Sequence, residues 1–137
     1  MSNLSDFLSS VGGTLEEVVH NTAYTFVAGD ELGKLHVSND ATPYTWTIPL
    51  NATVPFEVGS TFAIYNGGAG DITITADGAA TLTNVGSGID GDRSVTQYAI
   101  ATILKVDTDT WRMTGGSTGP SGSVTPTTGK IIFLGTQ

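Results

Sequence analysis

The chain contains no cysteine, so neither a disulfide nor a thiolate site is available to it. Basic residues are scarce as well: 5 Lys and Arg stand against 13 Asp and Glu, which gives a formal net charge of −8. Such a surface repels nucleic acid, whose binding requires basic side chains that neutralise phosphates. No apolar run approaches the roughly 20 residues of a membrane span, and the basic start of a secretory signal is missing. We therefore expect a soluble chain with neither nucleic acid nor membrane as a partner.

The residues that are present favour β-structure. The 137 residues are enough for one domain with a core, and only 13% of them are charged while 39% are hydrophobic. The 18 glycines and the many threonines suit short strands joined by tight turns. The composition therefore predicts an all-β protein.

Short β-prone runs follow one another every 8–12 residues between positions 16 and 115, separated by Gly, Asn, Asp and Pro. In the run "YTWTI", Tyr44, Trp46 and Ile48 share one face, and Thr45 and Thr47 share the other. This alternation predicts a sheet with one buried face and one threonine-lined, half-wet face. We expect residues 16–115 to form an antiparallel β-sandwich or a jelly-roll-like barrel.

Two carboxylates, Asp107 and Asp109, follow the longest apolar run, in "ATILKVDTDTW". A calcium site needs six to eight oxygen ligands, which this pair cannot supply without a third element. Asp is also a residue typical of turns, because its side chain accepts a hydrogen bond from the nearby backbone. The pattern predicts the turn of a β-hairpin that Trp111 continues.

The N-terminal segment, residues 1–15, has the spacing of a short amphipathic helix. Its apolar positions i, i+3, i+4 and i+7 are Leu4, Phe7, Leu8 and Val11. Burying these four side chains does not offset the cost of ordering the segment, so the helix needs a surface on which to dock. That surface is either the chain's own β-domain or a larger partner, and the sequence leaves both open.

The C-terminal segment, residues 116–137, is a flexible linker rich in Gly, Ser and Thr that leads to one apolar strand. The strand consists of Ile131, Ile132, Phe133 and Leu134. A lone strand on a long tether must pair either with its own sheet or with the edge of a neighbour. We expect it to make a contact between subunits.

Motifs that would carry chemistry are weak. Gly86, Gly88 and Gly91 match the letters of a dinucleotide-binding loop, but the following run reads as a strand, so we interpret them as a loop. His20 and His36 belong to no recognisable catalytic or metal-binding pattern. An enzyme would need both of them to converge with a carboxylate in a pocket. We expect no enzymatic activity, cofactor or metal.

Aromatic residues raise one alternative function. Trp46 and Trp111 could stack on sugar rings if they were exposed, although their alternation with threonine favours a place in the core. A glycan-binding module for host-surface recognition therefore remains the second hypothesis.

Three stretches together resemble a known module. They are "YTFVAGDELGKLHVSND", "TWTIPLNATVPFEVGSTFAIYNGGAGDITITADGAATL" and "QYAIATILKVDTDTWRMTGG", about two thirds of the chain. In this order they resemble a module of bacteriophage virion proteins, common in tail fibres and particle-surface proteins. The matching positions are Y-T at 24–25, G-K-L at 33–35, T-W-T-I-P at 45–49, F-E-V-G-S at 56–60, G-A-G-D-I-T-I at 68–74 and the hairpin at 98–111. The chain departs from the module at "SNDATPY", which carries an inserted turn, and at Trp46, where a small β-branched residue is usual.

The resemblance implies a non-enzymatic structural module that is often trimeric. We expect a virion subunit assembled in the bacterial cytoplasm, either a capsid decoration (cement or head-fibre) protein or part of a tail fibre. Residues 1–15 would anchor it on major capsid or tail proteins, and three anchors on a homotrimer would reinforce one another.

Overall fold

The computed structural model describes residues 14–116, which form ten β-strands and no helix. The all-β prediction is therefore confirmed for this part of the chain. The predicted helix of Leu4 and Val11 and the predicted strand at 131–134 lie outside the described residues. The strands are β1 (Glu16–Val19), β2 (Tyr24–Thr25), β3 (Lys34–Ser38), β4 (Tyr44–Ile48), β5 (Thr61–Asn66), β6 (Ile72–Ala76), β7 (Thr81–Asn84), β8 (Arg93–Val95), β9 (Ile100–Asp107) and β10 (Thr110–Gly115).

The ten strands form two sheets. The six-stranded sheet has the order β1-β3-β5-β9-β10-β7, and the four-stranded sheet has the order β2-β4-β6-β8. From β1 to β8, each strand is followed by one in the other sheet. Over these strands the chain therefore coils back and forth between the two sheets.

This coiling corrects the prediction of antiparallel sheets. Five of the eight strand pairs between residues 14 and 116 are parallel, and three are antiparallel. After a strand, the chain crosses to the other sheet and returns to the end of the first sheet at which the previous strand began. The next strand then runs parallel to the previous one. Alternation of apolar and polar residues records which face is buried but not the direction of the neighbouring strand.

The hairpin of β9 and β10 is the place where consecutive strands pair directly. Asp107 pairs with Thr110, which leaves Thr108 and Asp109 as the turn, and the Asp107 Oδ1 accepts a 2.8 Å hydrogen bond from the Thr108 N. The predicted turn is confirmed. No group of three His, Asp or Glu side chains suited to a metal occurs between residues 14 and 116.

The core is one hydrophobic cluster to which both sheets contribute. At its centre the Phe62 ring stacks on Phe26 at 4.3 Å and on Trp111 at 5.3 Å between ring centroids. Trp46 and Trp111 are 0% and 1% exposed, which confirms their prediction as core residues. Aromatic pairs of this kind contribute about 0.5–1.5 kcal/mol each beyond the area they bury.

Candidate interaction surface

Hydroxyl side chains cover the outer face of the four-stranded sheet. Thr45 pairs with Thr73 and Thr47 with Thr75 across the parallel strands β4 and β6. Their neighbours Trp46 and Ile74 point inward and are fully buried. The predicted threonine-lined face is confirmed for this sheet. We define the threonine face as Thr25, Thr45, Thr47, Thr73, Thr75 and Ser94.

The outer face of the six-stranded sheet has an apolar patch instead, interrupted by the hydroxyl groups of Thr61 and Thr102. Burial alternates along β9, so that Ala101 and Ile103 are buried while Ile100 and Leu104 are 65% and 38% exposed. This face continues from β9 onto β5, because Ile100 pairs with Tyr65 on that strand. We define the apolar face as Val19, Leu35, Ala63, Tyr65, Ile100 and Leu104, with Thr61 and Thr102 lying among them.

The apolar face carries no charged residue in a chain with a net charge of −8. The register places charges beside it, with Glu17 next to Leu35 and Arg112 next to Leu104. An exposed apolar patch with a polar rim is typical of a surface that contacts another protein. The two outer faces thus differ in chemistry, and the apolar one is the candidate interaction surface.

The predicted N-terminal anchor and the predicted C-terminal contact strand both connect, along the sequence, to the sheet that carries this face. Residues 1–13 lead into β1, and residues 117–137 follow β10. The anchor residues Leu4, Phe7, Leu8 and Val11 and the contact residues Ile131, Ile132, Phe133 and Leu134 themselves lie outside the described residues. Their roles, and the division of the chain at 15 and 116, stay predictions.

The two histidines of the chain lie together in the interior. The His20 Nε2 is 3.0 Å from the His36 Nδ1, and the His36 Nε2 is 2.9 Å from the Asp30 carbonyl oxygen. The Asp30 carboxylate accepts hydrogen bonds from the Tyr24 hydroxyl, at 2.6 Å, and from the Val27 N, at 2.8 Å. The sequence did not predict this convergence.

Burial controls the ionisation of this cluster. It lowers the pKa of His20, the nearby His36 lowers it further, and Asp30 opposes both. Burial and the hydrogen bond to Asp30 raise the pKa of Tyr24 well above its usual range. His20 also stacks on the Tyr24 ring at 3.7 Å. The two imidazoles thus bond to each other and to the Asp30 backbone carbonyl. The Asp30 carboxylate bonds to Tyr24 and to the Val27 N instead. The cluster therefore connects β1 and β3 to the turn at 27–30.

A second polar cluster surrounds the buried Lys105, which is 1% exposed. Its Nζ donates hydrogen bonds to the Asn51 Oδ1 at 2.7 Å and to the Phe56 carbonyl at 2.6 Å. The same Nζ lies 5.6 Å from the centroid of the Trp111 ring. Lys105 thus fastens the loop at 51–56 onto β9.

An open cleft of about 280 Å³ lies beside the glycine-rich loop at 86–91. Asp90 and Asp92 line it, but each already accepts a 2.6 Å hydrogen bond, from Thr83 and from Thr75 respectively. The loop leads into β8 and not into a helix, so the interpretation of the glycine motif as a plain loop is confirmed. The cleft lacks the helix N-terminus that binds a dinucleotide phosphate.

No helix able to cross a bilayer occurs between residues 14 and 116. Neither a protein-family model nor a curated protein nor a solved structure matches the chain. The resemblance to phage virion modules therefore stays a prediction, and the functional argument depends on the surfaces described above.

Proposed function

We propose that this protein is a non-enzymatic structural subunit of a bacteriophage virion. It assembles as a homotrimer and either decorates the capsid, as a cement or head-fibre protein, or forms part of a tail fibre. The observation that carries the proposal is the contrast between the two outer faces. One is covered by hydroxyl groups, and the other has an uncharged, largely apolar patch.

Charge favours the apolar face as the contact between copies. Each copy carries a net charge of −8, so two copies repel each other over most of their surface. The apolar face is where they can approach without bringing carboxylates together. Burying Ile100 and Leu104 there would remove exposed apolar area from water, which stabilises the assembly by about 25 cal/mol per Å².

The apolar face alone is small for a stable interface. Four strands spaced about 4.8 Å apart, with four or five residues each, present roughly 300 Å². A standard interface buries about 800 Å² on each partner. We propose that two further segments supply the remaining contact area. The segment with Leu4 and Phe7 binds the particle, and the segment with Ile131 and Phe133 binds a neighbouring copy. Three weak anchors on one trimer then act together.

Within each copy, the two sheets are proposed to face each other as a sandwich or jelly-roll-like barrel of mixed strand direction. The support for this is that Phe62 and Ile103 of one sheet and Trp46 and Ile74 of the other belong to one buried cluster.

The glycan-binding alternative has lost its main support. Both tryptophans are buried, so neither offers a ring face to a sugar. A folded sample that binds specific glycans on an array would nevertheless restore it.

The direct test is the number of copies on purified particles of the phage that encodes this chain. Quantitative mass spectrometry against the major capsid protein would give hundreds of copies for a capsid decoration protein and a handful for a tail component. Absence of the chain from washed, infectious particles would refute the virion assignment.

A further inference from the structure

Lys105 is a buried amine without a facing carboxylate. Its two hydrogen-bond acceptors, the Asn51 amide oxygen and the Phe56 carbonyl, are both uncharged. The ion pair found between residues 14 and 116 joins Glu16 to Lys34, on an edge of the sheet. A buried ammonium without an opposite charge is costly, because it loses its hydration. Replacing this ammonium by an uncharged amide would remove that cost.

The amine also lies within reach of a carbonyl carbon. The Lys105 Nζ is 2.7 Å from the Asn51 Oδ1. Since a C=O bond is about 1.23 Å long, the Asn51 Cγ is at most about 3.9 Å from the Nζ. Reacting atoms in a near-attack arrangement are about 3–3.5 Å apart. A shift of under about 1 Å brings the nitrogen into this near-attack range of the Asn51 Cγ.

The surroundings hold both partners in place. The Trp111 ring lies beside the Lys105 Nζ, at 5.6 Å from its centroid, and is itself packed against Phe56. On the other side, the Asp109 Oδ1 accepts a 2.8 Å hydrogen bond from the Asn51 N. Asp109 is thus a positioning residue that fixes the backbone from which the Asn51 amide projects.

We propose that Lys105 and Asn51 form an intramolecular amide cross-link. The Lys105 Nζ attacks the Asn51 Cγ, the Nζ–Cγ bond forms, and the Cγ–Nδ2 bond breaks. The two protons that the lysine ammonium gives up pass to the departing Nδ2, which leaves as an ammonium ion. Charge and atoms balance without an oxidant, a reductant or a cofactor.

The cross-link would give this cysteine-free chain a covalent closure. It joins positions 54 residues apart, and such a loop closure restricts the unfolded chain in the way a disulfide does. It would also replace a buried ammonium by an uncharged amide. This inference is independent of the virion assignment, since it concerns one chain alone.

Peptide mapping of the full-length protein tests the proposal. Intact mass spectrometry should show the sequence mass less one ammonia. Trypsin cannot cleave after an acylated lysine, so the digest should contain peptide 35–93 joined to peptide 94–112. The joined peptide is needed as well as the mass, because a succinimide at Asn66-Gly67 would also release ammonia.

Matched variants separate the cross-link from folding. Lys105→Arg keeps a buried cation and Asn51→Ser keeps an oxygen acceptor, and both should abolish the joined peptide and the mass loss. Lys34→Arg should retain both signals. Asp109→Ala should slow the appearance of the joined peptide after refolding, and Asp109→Asn, which keeps an oxygen acceptor, should restore it. A folded wild-type protein of full sequence mass that releases free peptide 94–105 overturns the proposal.

Discussion

The His20 and His36 side chains share a 3.0 Å hydrogen bond that joins the end of β1 to β3. The Asp30 carbonyl next to the His36 Nε2 can only accept, so the His36 Nε2 donates, and in a neutral imidazole the Nδ1 is then the bare nitrogen. The His20 Nε2 must then donate to that nitrogen. One neutral arrangement of protons therefore satisfies the whole chain of hydrogen bonds.

This arrangement predicts a loss of stability in mild acid. Burial and His36 lower the pKa of His20 in the folded state, so the unfolded chain binds the proton more readily. The stability is then complete above the unfolded pKa of about 6.5 and falls as the pH drops below it. Urea unfolding at pH 7.5 and at pH 5.5 should give a lower free energy of unfolding at the lower pH.

The matched variant is His20→Gln, which keeps a donor but does not titrate. Its stability should change less between these two pH values than that of the wild type. The Tyr44 hydroxyl lowers the pKa of Asp40, so this carboxylate stays ionised throughout the window and does not confuse the comparison. An equal pH dependence in the variant would show that His20 is not the responsible group.

Phe62 should be the most costly aromatic residue to truncate. It is fully buried and stacks on both Phe26 and Trp111. Phe62→Ala should lower the free energy of unfolding by about 3–5 kcal/mol, measured by chemical denaturation. Val58→Ala, at a residue 61% exposed, should change it by no more than about 0.5 kcal/mol. Similar losses in the two variants would contradict the stacked core.

Tyr98 occupies a backbone conformation that glycine tolerates better. Its φ is +69°, and its side chain is 72% exposed. Tyr98→Gly should therefore raise the free energy of unfolding by up to about 1 kcal/mol, whereas Tyr98→Val should lower it by about 1 kcal/mol. The two variants differ in backbone preference and both remove the exposed ring. If both variants lower the free energy of unfolding equally, loss of the ring and not the backbone conformation would be the cause.

Alternation in the sequence was a good guide to the strands. The strands Lys34–Ser38 and Tyr44–Ile48 coincide with the runs "KLHVS" and "YTWTI", in which apolar and polar side chains alternate strictly. The longest β-prone run in the sequence extends from Thr96 to Val106, but β9 begins only at Ile100. The Ala99 N bonds to the Thr96 carbonyl, and Tyr98 has a positive φ, so these residues form a turn.

Long-range relationships could not be predicted in the same way. The edge strands Glu16–Val19 and Arg93–Val95 were missed, because short, polar edge strands are defined by their neighbours and not by their own pattern. The Lys105 side chain shares the buried face of β9 with Ile103, and the pattern of the run did not predict this. Its partner Asn51, 54 positions away, carries no local signal of the contact.

The oligomeric state of the full-length protein tests the central claim most directly. Native mass spectrometry should give a trimer for the wild type, and a folded monomer for the double variant Ile100→Glu, Leu104→Glu on the apolar face. The matched double variant Thr45→Glu, Thr73→Glu on the threonine face should remain trimeric, with circular dichroism confirming the fold of each. A monomeric wild type, or a trimer that survives the two glutamates on the apolar face, would contradict the account.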